Sequence, residues 1–404
     1  MSKIKEITAR EIKDSRLKPT IEVELETEKG RFVASVPSGA STGSNEALEL
    51  RDNDGRGVSK AIRNINEVIA PKLKNLNPEN QKEIDKLMID LDGTENKSVL
   101  GANAMLAVSL AVCRAGADFK KVSLYQHISD LSGQKIEKDK MPFPMFNILN
   151  GGAHAKNELE IQEFMIVPQK ETFVENLVLG SKIFSNLKDQ MQKNFGEIPE
   201  MGDEGGFAAP ISKAEQALYL IKSACEDNHD VKFALDCAAS EFYKDGKYHL
   251  EGRELTRTEL IEFYKNLANT FPLISIEDPF SEDDWEGFKE ITKELSPKIT
   301  IIGDDLTTTN IKRIKEAHTK LACNGVILKL NQIGTVSETI EASNLAKSFG
   351  WKTIVSHRSG ETMDDFIADL SVGIRADFLK SGASSKDERM VKYNRLLQIE
   401  QELK

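Results

Sequence analysis

Phe233-Ala-Leu-Asp236, Ile274-Ser-Ile-Glu277, Ile299-Thr-Ile-Ile-Gly-Asp304, Val326-Ile-Leu-Lys329, Thr353-Ile-Val-Ser-His357 and Phe378-Leu-Lys380 punctuate residues 233–382. Each is a short apolar run closing on an ionisable residue and followed by a helix-like stretch. Apolar runs alternating with helical segments indicate βα units around a parallel sheet. Their spacing of roughly 25 to 40 residues suits a (β/α) barrel. In a barrel all parallel strands open onto one face, so Asp236, Glu277, Asp304, Lys329, His357 and Lys380 are expected around one cavity. A buried charge costs several kcal/mol unless it is paired or metal-bound. Six strands ending this way are poor packing and plausible chemistry.

At 404 residues the chain exceeds one ordinary core, although a barrel alone can use about 250 residues, so a second domain is expected. Residues 3–36 read as strands: Ile21-Glu-Val-Glu-Leu-Glu alternates with period two, and Lys29-Gly30 supplies a turn before Arg31-Phe-Val-Ala-Ser-Val36. Helical stretches follow around Val58–Leu73 and Gly101–Ala117, the second rich in small apolar residues. This makes 1–130 an α+β domain. The polar segment Ser132–Lys140, punctuated by Pro142 and Pro144, separates it from a barrel over 141–404. Ser212-Lys-Ala-Glu215, Thr256-Arg-Thr-Glu259 and Thr335-Val-Ser-Glu338 each carry the capping-box spacing of a helix start.

A formal net charge of −11 repels nucleic-acid phosphates and anionic membrane surfaces, so neither partner is expected, and an anionic substrate must be met by local positive charge. No apolar run approaches the ~18 residues of a spanning helix, and no targeting segment is visible at Met-Ser-Lys-Ile-Lys-Glu. The expected location is cytoplasmic. Cys113, Cys225, Cys237 and Cys323 are scattered without a C-x-x-C pair and read as small buried residues.

Asp236, Glu277 and Asp304 offer hard oxygen ligands suited to Mg²⁺, which keeps waters and leaves room for substrate. Their alternative is a structural network salt-bridged to Lys329 and Lys380, and the two can coexist. Asp305 points away from Asp304 if the strand persists. Lys329 emerges from a buried strand, where a low-dielectric pocket near metal ions lowers a lysine pKa toward that of a base; its alternative is a counter-ion to the metal carboxylates. Ser356-His-Arg-Ser-Gly-Glu361 presents an imidazole, a guanidinium and a hydroxyl that suit phosphate. Gly202-Asp-Glu-Gly-Gly206 puts Glu204 on a loop whose glycines permit close backbone approach. Leu149-Asn-Gly-Gly-Ala-His154 and Gln162-Glu163 add a histidine and a further carboxylate. Pro37-Ser-Gly-Ala-Ser-Thr-Gly43 reads as a lid, a phosphate cradle or a plain connector.

Together VPSGASTG, LGANA, QEFMI, GDEGGFA, LDCA, SIEDPF, GDDLT, LKLNQIGT, SHRSGET and KSGA resemble the enolases from about residue 4 to residue 403. Members are magnesium-dependent dehydratases that convert 2-phosphoglycerate to phosphoenolpyruvate in glycolysis and gluconeogenesis. The resemblance implies a smaller α+β N-terminal domain and an eight-stranded α/β barrel opening ββαα rather than βα. It implies one Mg²⁺ on Asp236, Glu277 and Asp304, and a second arriving with substrate and held partly by Ser41 on a closing loop. Lys329 becomes the base that removes the Cα proton. Glu204 becomes the acid for the β-hydroxyl, with Glu163 and His154 beside it. Arg358 and Ser359 would hold phosphate, His357 would line the pocket, and Lys380 would lie near the substrate carboxylate.

A homodimer or higher homo-oligomer is also implied. Two segments near the family's subunit contact depart from its pattern. Leu17-Lys18 stands where Gly-Asn is usual, and the chain stops at Ile399-Glu-Gln-Glu-Leu-Lys404, short of the usual tail. Ala153-His154-Ala155-Lys156-Asn157 replaces Ser-His-Ala-Gly-Asn, putting a cation on a loop that closes in relatives. Two other readings compete. A racemase or cycloisomerase on the same barrel keeps the carboxylates but has no use for His357-Arg358-Ser359. A scaffold or surface-exposed, plasminogen-binding role could present Lys404 as kringle domains accept terminal lysines.

Overall fold

The computed structural model describes residues 3–39 and 43–404. The chain opens with a three-stranded antiparallel meander, β1 (Ile4–Lys13), β2 (Pro19–Thr27) and β3 (Arg31–Ser35). In β2, Ile21, Val23 and Leu25 are buried while the intervening Glu22, Glu24 and Glu26 face outward, as the period-two pattern requires. A broken helical segment follows: α1 (Ser59–Arg63), a π-helical turn over Asn64–Ile69, and α2 (Ala70–Leu73). Then come α3 (Gln81–Asp92), α4 (Ala102–Lys120) and α5 (Leu124–Ser132). The alanine-rich α4 is buried over nearly its whole length beneath β2 and β3, because its small side chains allow close approach.

The barrel comprises β4 (Phe143–Asn150), β5 (Glu163–Pro168), α6 (Phe173–Phe195), α7 (Ala214–Ala224) and β6 (Val231–Asp236). A small meander interrupts it: β7 (Tyr243–Lys244), β8 (Lys247–Leu250) and β9 (Arg253–Leu255). The remainder is α8 (Arg257–Thr270), β10 (Leu273–Glu277), α9 (Trp285–Leu295), β11 (Thr300–Gly303), α10 (Ile311–Lys320), β12 (Gly325–Leu328), α11 (Leu330–Ile333), α12 (Val336–Ser348), β13 (Lys352–Ser356), α13 (Phe366–Gly373), β14 (Phe378–Lys380) and α14 (Asp387–Leu403). Eight strands close in the order β4-β5-β6-β10-β11-β12-β13-β14. Only β5 runs antiparallel to both neighbours, so the barrel opens ββαα. Met145, Met165, Ala234, Ile302, Ile327 and Ile354 fill its interior. Outside, α6 lies so close to β4 that a Cβ on Gly180 would sit 2.4 Å from the Phe146 ring.

Of the three capping boxes expected, Thr256–Glu259 forms in full and Thr335 accepts from Glu338 N–H. Ser212 does not cap. The N-cap of α7 falls on Lys213, and Glu251, reaching over from the small meander, accepts from Ala214 N–H at 2.9 Å instead. A box that sequence reading missed, Thr172–Glu175, starts α6. All four cysteines are buried and unbridged. No helix among the described residues is long and apolar enough to cross a membrane.

His127 on α5 is fully buried against Gly116, and neither ring nitrogen has a hydrogen-bond partner among the described residues. Burial, with Lys120 nearby, pushes its pKa from 6.5 down to about 4, while Asp130 and Glu79 oppose the shift. The neutral ring is the folded form. The stability it permits is therefore intact above its unfolded pKa of 6.5 and is lost as pH falls toward about 4. Denaturant unfolding of His127→Leu should accordingly lose less stability than the parent across that window; parallel pH curves would contradict this.

Candidate active site

Strand register assembles the site. Glu163 opens β5 opposite Asp236, and Asp236 closes β6 opposite Glu277 at the end of β10, so three carboxylates stand at one level on adjacent strands. Lys380, at the end of β14 across the barrel mouth, offers its Nζ to Asp236 Oδ2 at 2.9 Å, Glu277 Oε2 at 3.0 Å and Glu163 Oε2 at 3.0 Å. All four side chains are buried. Burial alone would lower the Lys380 pKa, but its three carboxylates outweigh that and hold it well above the lysine range.

Asp304 follows β11 and pairs with Lys329, the residue after β12, while its other oxygen accepts from Gln332 Nε2 at 2.9 Å. Here the structure corrects an expectation. Burial does work to lower the Lys329 pKa, but Asp304, helped by Glu277, overrides it, and the ammonium is held above its ordinary value. Asp305 also departs from its expected outward direction. The strand ends at Gly303, so alternation no longer applies, and Asp305 lines the cavity beside Asp304. The turn is held by Asp278, whose two oxygens accept the N–H groups of Asp304 at 3.0 Å and Asp305 at 2.7 Å. Burial, then Asp304, raise the Asp305 pKa to about 7.

On the opposite wall, His154 Nδ1 lies 3.6 Å from Glu163 and 3.7 Å from Glu204. Burial, then the charge of Glu204, raise Glu163 well above the carboxylate range. Burial pushes Glu204 the same way, yet its histidine neighbours outweigh it, and its carboxyl is held well below that range. Asn147 Nδ2 donates to Glu204 Oε2 at 2.9 Å, which also favours the anion. Two neighbouring carboxyls are thus driven in opposite directions, the pattern that separates acid from base roles.

Arg358 and Ser359 line the same cavity with His357. Arg358 Nη1 and Nη2 make a bidentate pair with Glu46 at 2.9 and 3.2 Å, and Nη1 also donates to Asn331 at 3.0 Å. Glu46 belongs to the first domain, so the pair ties both halves of the chain at the site. Ser41, expected to hold part of a second Mg²⁺, lies outside the described residues. Sequence reasoning missed Glu46, Asp278, Asn147, Gln332 and Arg389; Asp278 and Gln332 fell inside quoted motifs, SIEDPF and LKLNQIGT, without being singled out.

The residues fit a divalent cation. Glu277 Oε1 is buried with no hydrogen-bond partner among the described residues, and burial with the neighbouring Asp236 charge pushes the Glu277 carboxyl well up. Clustered hard oxygens that disfavour one another's ionisation are what Mg²⁺ neutralises. Two further groups have ligand atoms within 4.8 Å of one another: His154 with Glu163 and Glu204, and Asp278 with Asp304 and Asp305. The ion-pair network weighed as an alternative is present too, through Lys329 and Lys380.

A barrel whose strand ends gather carboxylates and lysines in this way defines a metal-compatible catalytic framework. The family model "Enolase, N-terminal domain" matches residues 4–128, and "Enolase, C-terminal TIM barrel domain" matches residues 138–404. The chain belongs to the enolase family, and is an enzyme of that lyase superfamily.

Proposed function

We propose that the protein is a phosphopyruvate hydratase, interconverting 2-phospho-D-glycerate with phosphoenolpyruvate and water. The observation that carries this reading is that Lys329, Lys380 and Arg358 line one cavity at the barrel mouth with the carboxylates of Glu163, Glu204, Asp236, Asp304 and Asp305. Lys329 is the group placed to remove the proton from Cα; the Asp304 charge that holds its ammonium is one that a bound Mg²⁺ would share. Glu204, with Glu163 and His154 beside it, serves the departing β-hydroxyl, and the proton held on the Glu163 side of the pair is available for that step. Arg358, Ser359 and His357 take the phosphate, and Lys380 lies near the carboxylate end.

Asp236, Glu277 and Asp304 would hold Mg²⁺, with Ser41 joining when substrate brings the second ion. When bound, Mg²⁺ supplies positive charge at the substrate carboxylate that makes the adjacent Cα proton acidic enough for a lysine, the pattern already described for enolase-superfamily sites. Lys329 pairs with Asp304 and Glu204 lies against His357, so the two come from distant parts of the chain, which permits removal of proton and hydroxyl from opposite sides.

Assembly as a homodimer or larger homo-oligomer and a cytoplasmic location belong to the same proposal. Near the family's subunit contact, Leu17 takes a left-handed conformation at φ 60° with its side chain 74% exposed, where the family places glycine. Arg16 reaches Asp203 at 3.7 Å. Solution mass tests the assembly.

The phosphate set separates this reading from a racemase or cycloisomerase. Purified protein should process 2-phosphoglycerate and reject unphosphorylated glycerate by roughly 10⁴-fold, because glycerate offers no phosphate to Arg358, Ser359 and His357. Comparable rates on the two would contradict the assignment.

A further inference from the structure

Arg389 lies on α14, is fully buried, and takes no part in the chemistry above. Its Nη1 contacts His357 Nδ1 at 2.6 Å and donates to the Arg358 carbonyl at 2.6 Å; its Nη2 donates to the carbonyls of Ser359 at 2.6 Å and Asp203 at 3.1 Å. A guanidinium has five N–H donors, no acceptor, and does not deprotonate in proteins. At this contact His357 Nδ1 can therefore only accept. A neutral imidazole that accepts at one nitrogen carries its proton on the other. That other nitrogen, Nε2, lies 3.2 Å from Glu204 Oε2. The contact is close but off-line for a hydrogen bond, as catalytic contacts often are before ligand binds.

We infer that Arg389 is a positioning residue that locks His357 as the Nε2–H tautomer, so that His357 presents a donor to the Glu204 carboxylate. The inference rests on the reading of Glu204 as the group serving the β-hydroxyl. Arg389 acts on both ends of this contact. The carbonyls it gathers belong to Asp203, directly before Glu204, and to Arg358 and Ser359, directly after His357. One buried cation thus sets the spacing of the two loops and the direction of the proton between them. Without it, the Nδ1–H tautomer would leave Nε2 as an acceptor facing a carboxylate, a repulsive pair.

The test is ¹⁵N spectroscopy of histidine-labelled protein, with the His357 signal assigned by its absence in His357→Asn. There are only six histidines to resolve. In the parent at neutral pH, His357 should show a protonated Nε2 and an unprotonated Nδ1. A protonated Nδ1, or an imidazolium, would overturn the inference without any variant. Arg389→Met should shift the tautomer mixture and lower kcat at least about tenfold with a smaller change in KM, and Arg389→Lys, which keeps a cationic donor, should restore the tautomer and part of the rate. An unchanged tautomer in Arg389→Met would also overturn it. Should the Met variant fail to fold, the parent spectrum and the Lys variant still decide. The spectrum needs no turnover, so an Nε2–H tautomer in a protein inactive on 2-phosphoglycerate would refute the proposed reaction and leave the tautomer lock standing.

Discussion

Lys329→Ala should abolish turnover of 2-phosphoglycerate, by about 10⁴-fold, while Mg²⁺ binding survives. Lys329 follows β12 and meets Asp304, so its amine stands at the cavity beside the carboxylates that would hold the ion. General-base removal accounts for a loss on this scale, and alanine offers no substitute group. The variant also frees Asp304 from its counter-ion, which should leave cation affinity unchanged or improved. Calorimetric titration of Mg²⁺ alongside the rate assay separates the two effects. A variant turning over at a near-normal rate would remove Lys329 as the base, and one that binds no Mg²⁺ would make the residue structural.

Lys380→Met should be the most destabilising single change in the barrel when divalent cations are absent, by roughly 3–5 kcal/mol. Its ammonium touches Asp236, Glu163 and Glu277, all buried. Removing the one shared cation leaves three uncompensated carboxyls in a low-dielectric wall. They can relieve the repulsion by taking protons, so the loss should shrink in mild acid. Mg²⁺ should restore much of the stability, because it supplies charge to the same oxygens. Denaturant unfolding with and without Mg²⁺ reads this directly. A small loss that Mg²⁺ does not alter would mean that the carboxylates do not form one electrostatic unit.

Much of this architecture was legible in the sequence, for a physical reason. Each of six strands is a buried apolar run that must end where the barrel opens, and the ionisable residue at each end marks that opening. The first two strands were harder. Phe143–Asn150 and Glu163–Pro168 form an antiparallel pair joined by a loop, so they break the βα rhythm and came only from the family resemblance. Expectations failed where tertiary contacts override local pattern. Asp305 turned inward because Asp278 ends the strand's alternation, and Ser212 lost its cap to Glu251. The Lys329 pKa expectation let burial decide, whereas the ion-pair alternative, through Asp304, sets the direction.

The missed residues share one property: their roles exist only across long chain separations. Glu46 lies in Ser44-Asn-Glu-Ala-Leu-Glu, which reads as an ordinary exposed stretch until it meets Arg358, 312 positions away. Arg389 sits in Lys386-Asp-Glu-Arg, which reads as a solvated helix start, yet it is fully buried. No local periodicity signals either one.

The central claim is the reaction itself. The most direct measurement is turnover of 2-phosphoglycerate by purified protein with and without excess Mg²⁺, followed by the ultraviolet absorbance of the enol phosphate. Product should form only with Mg²⁺ and should disappear with a chelator. Folded protein that binds Mg²⁺ and forms no product would contradict it.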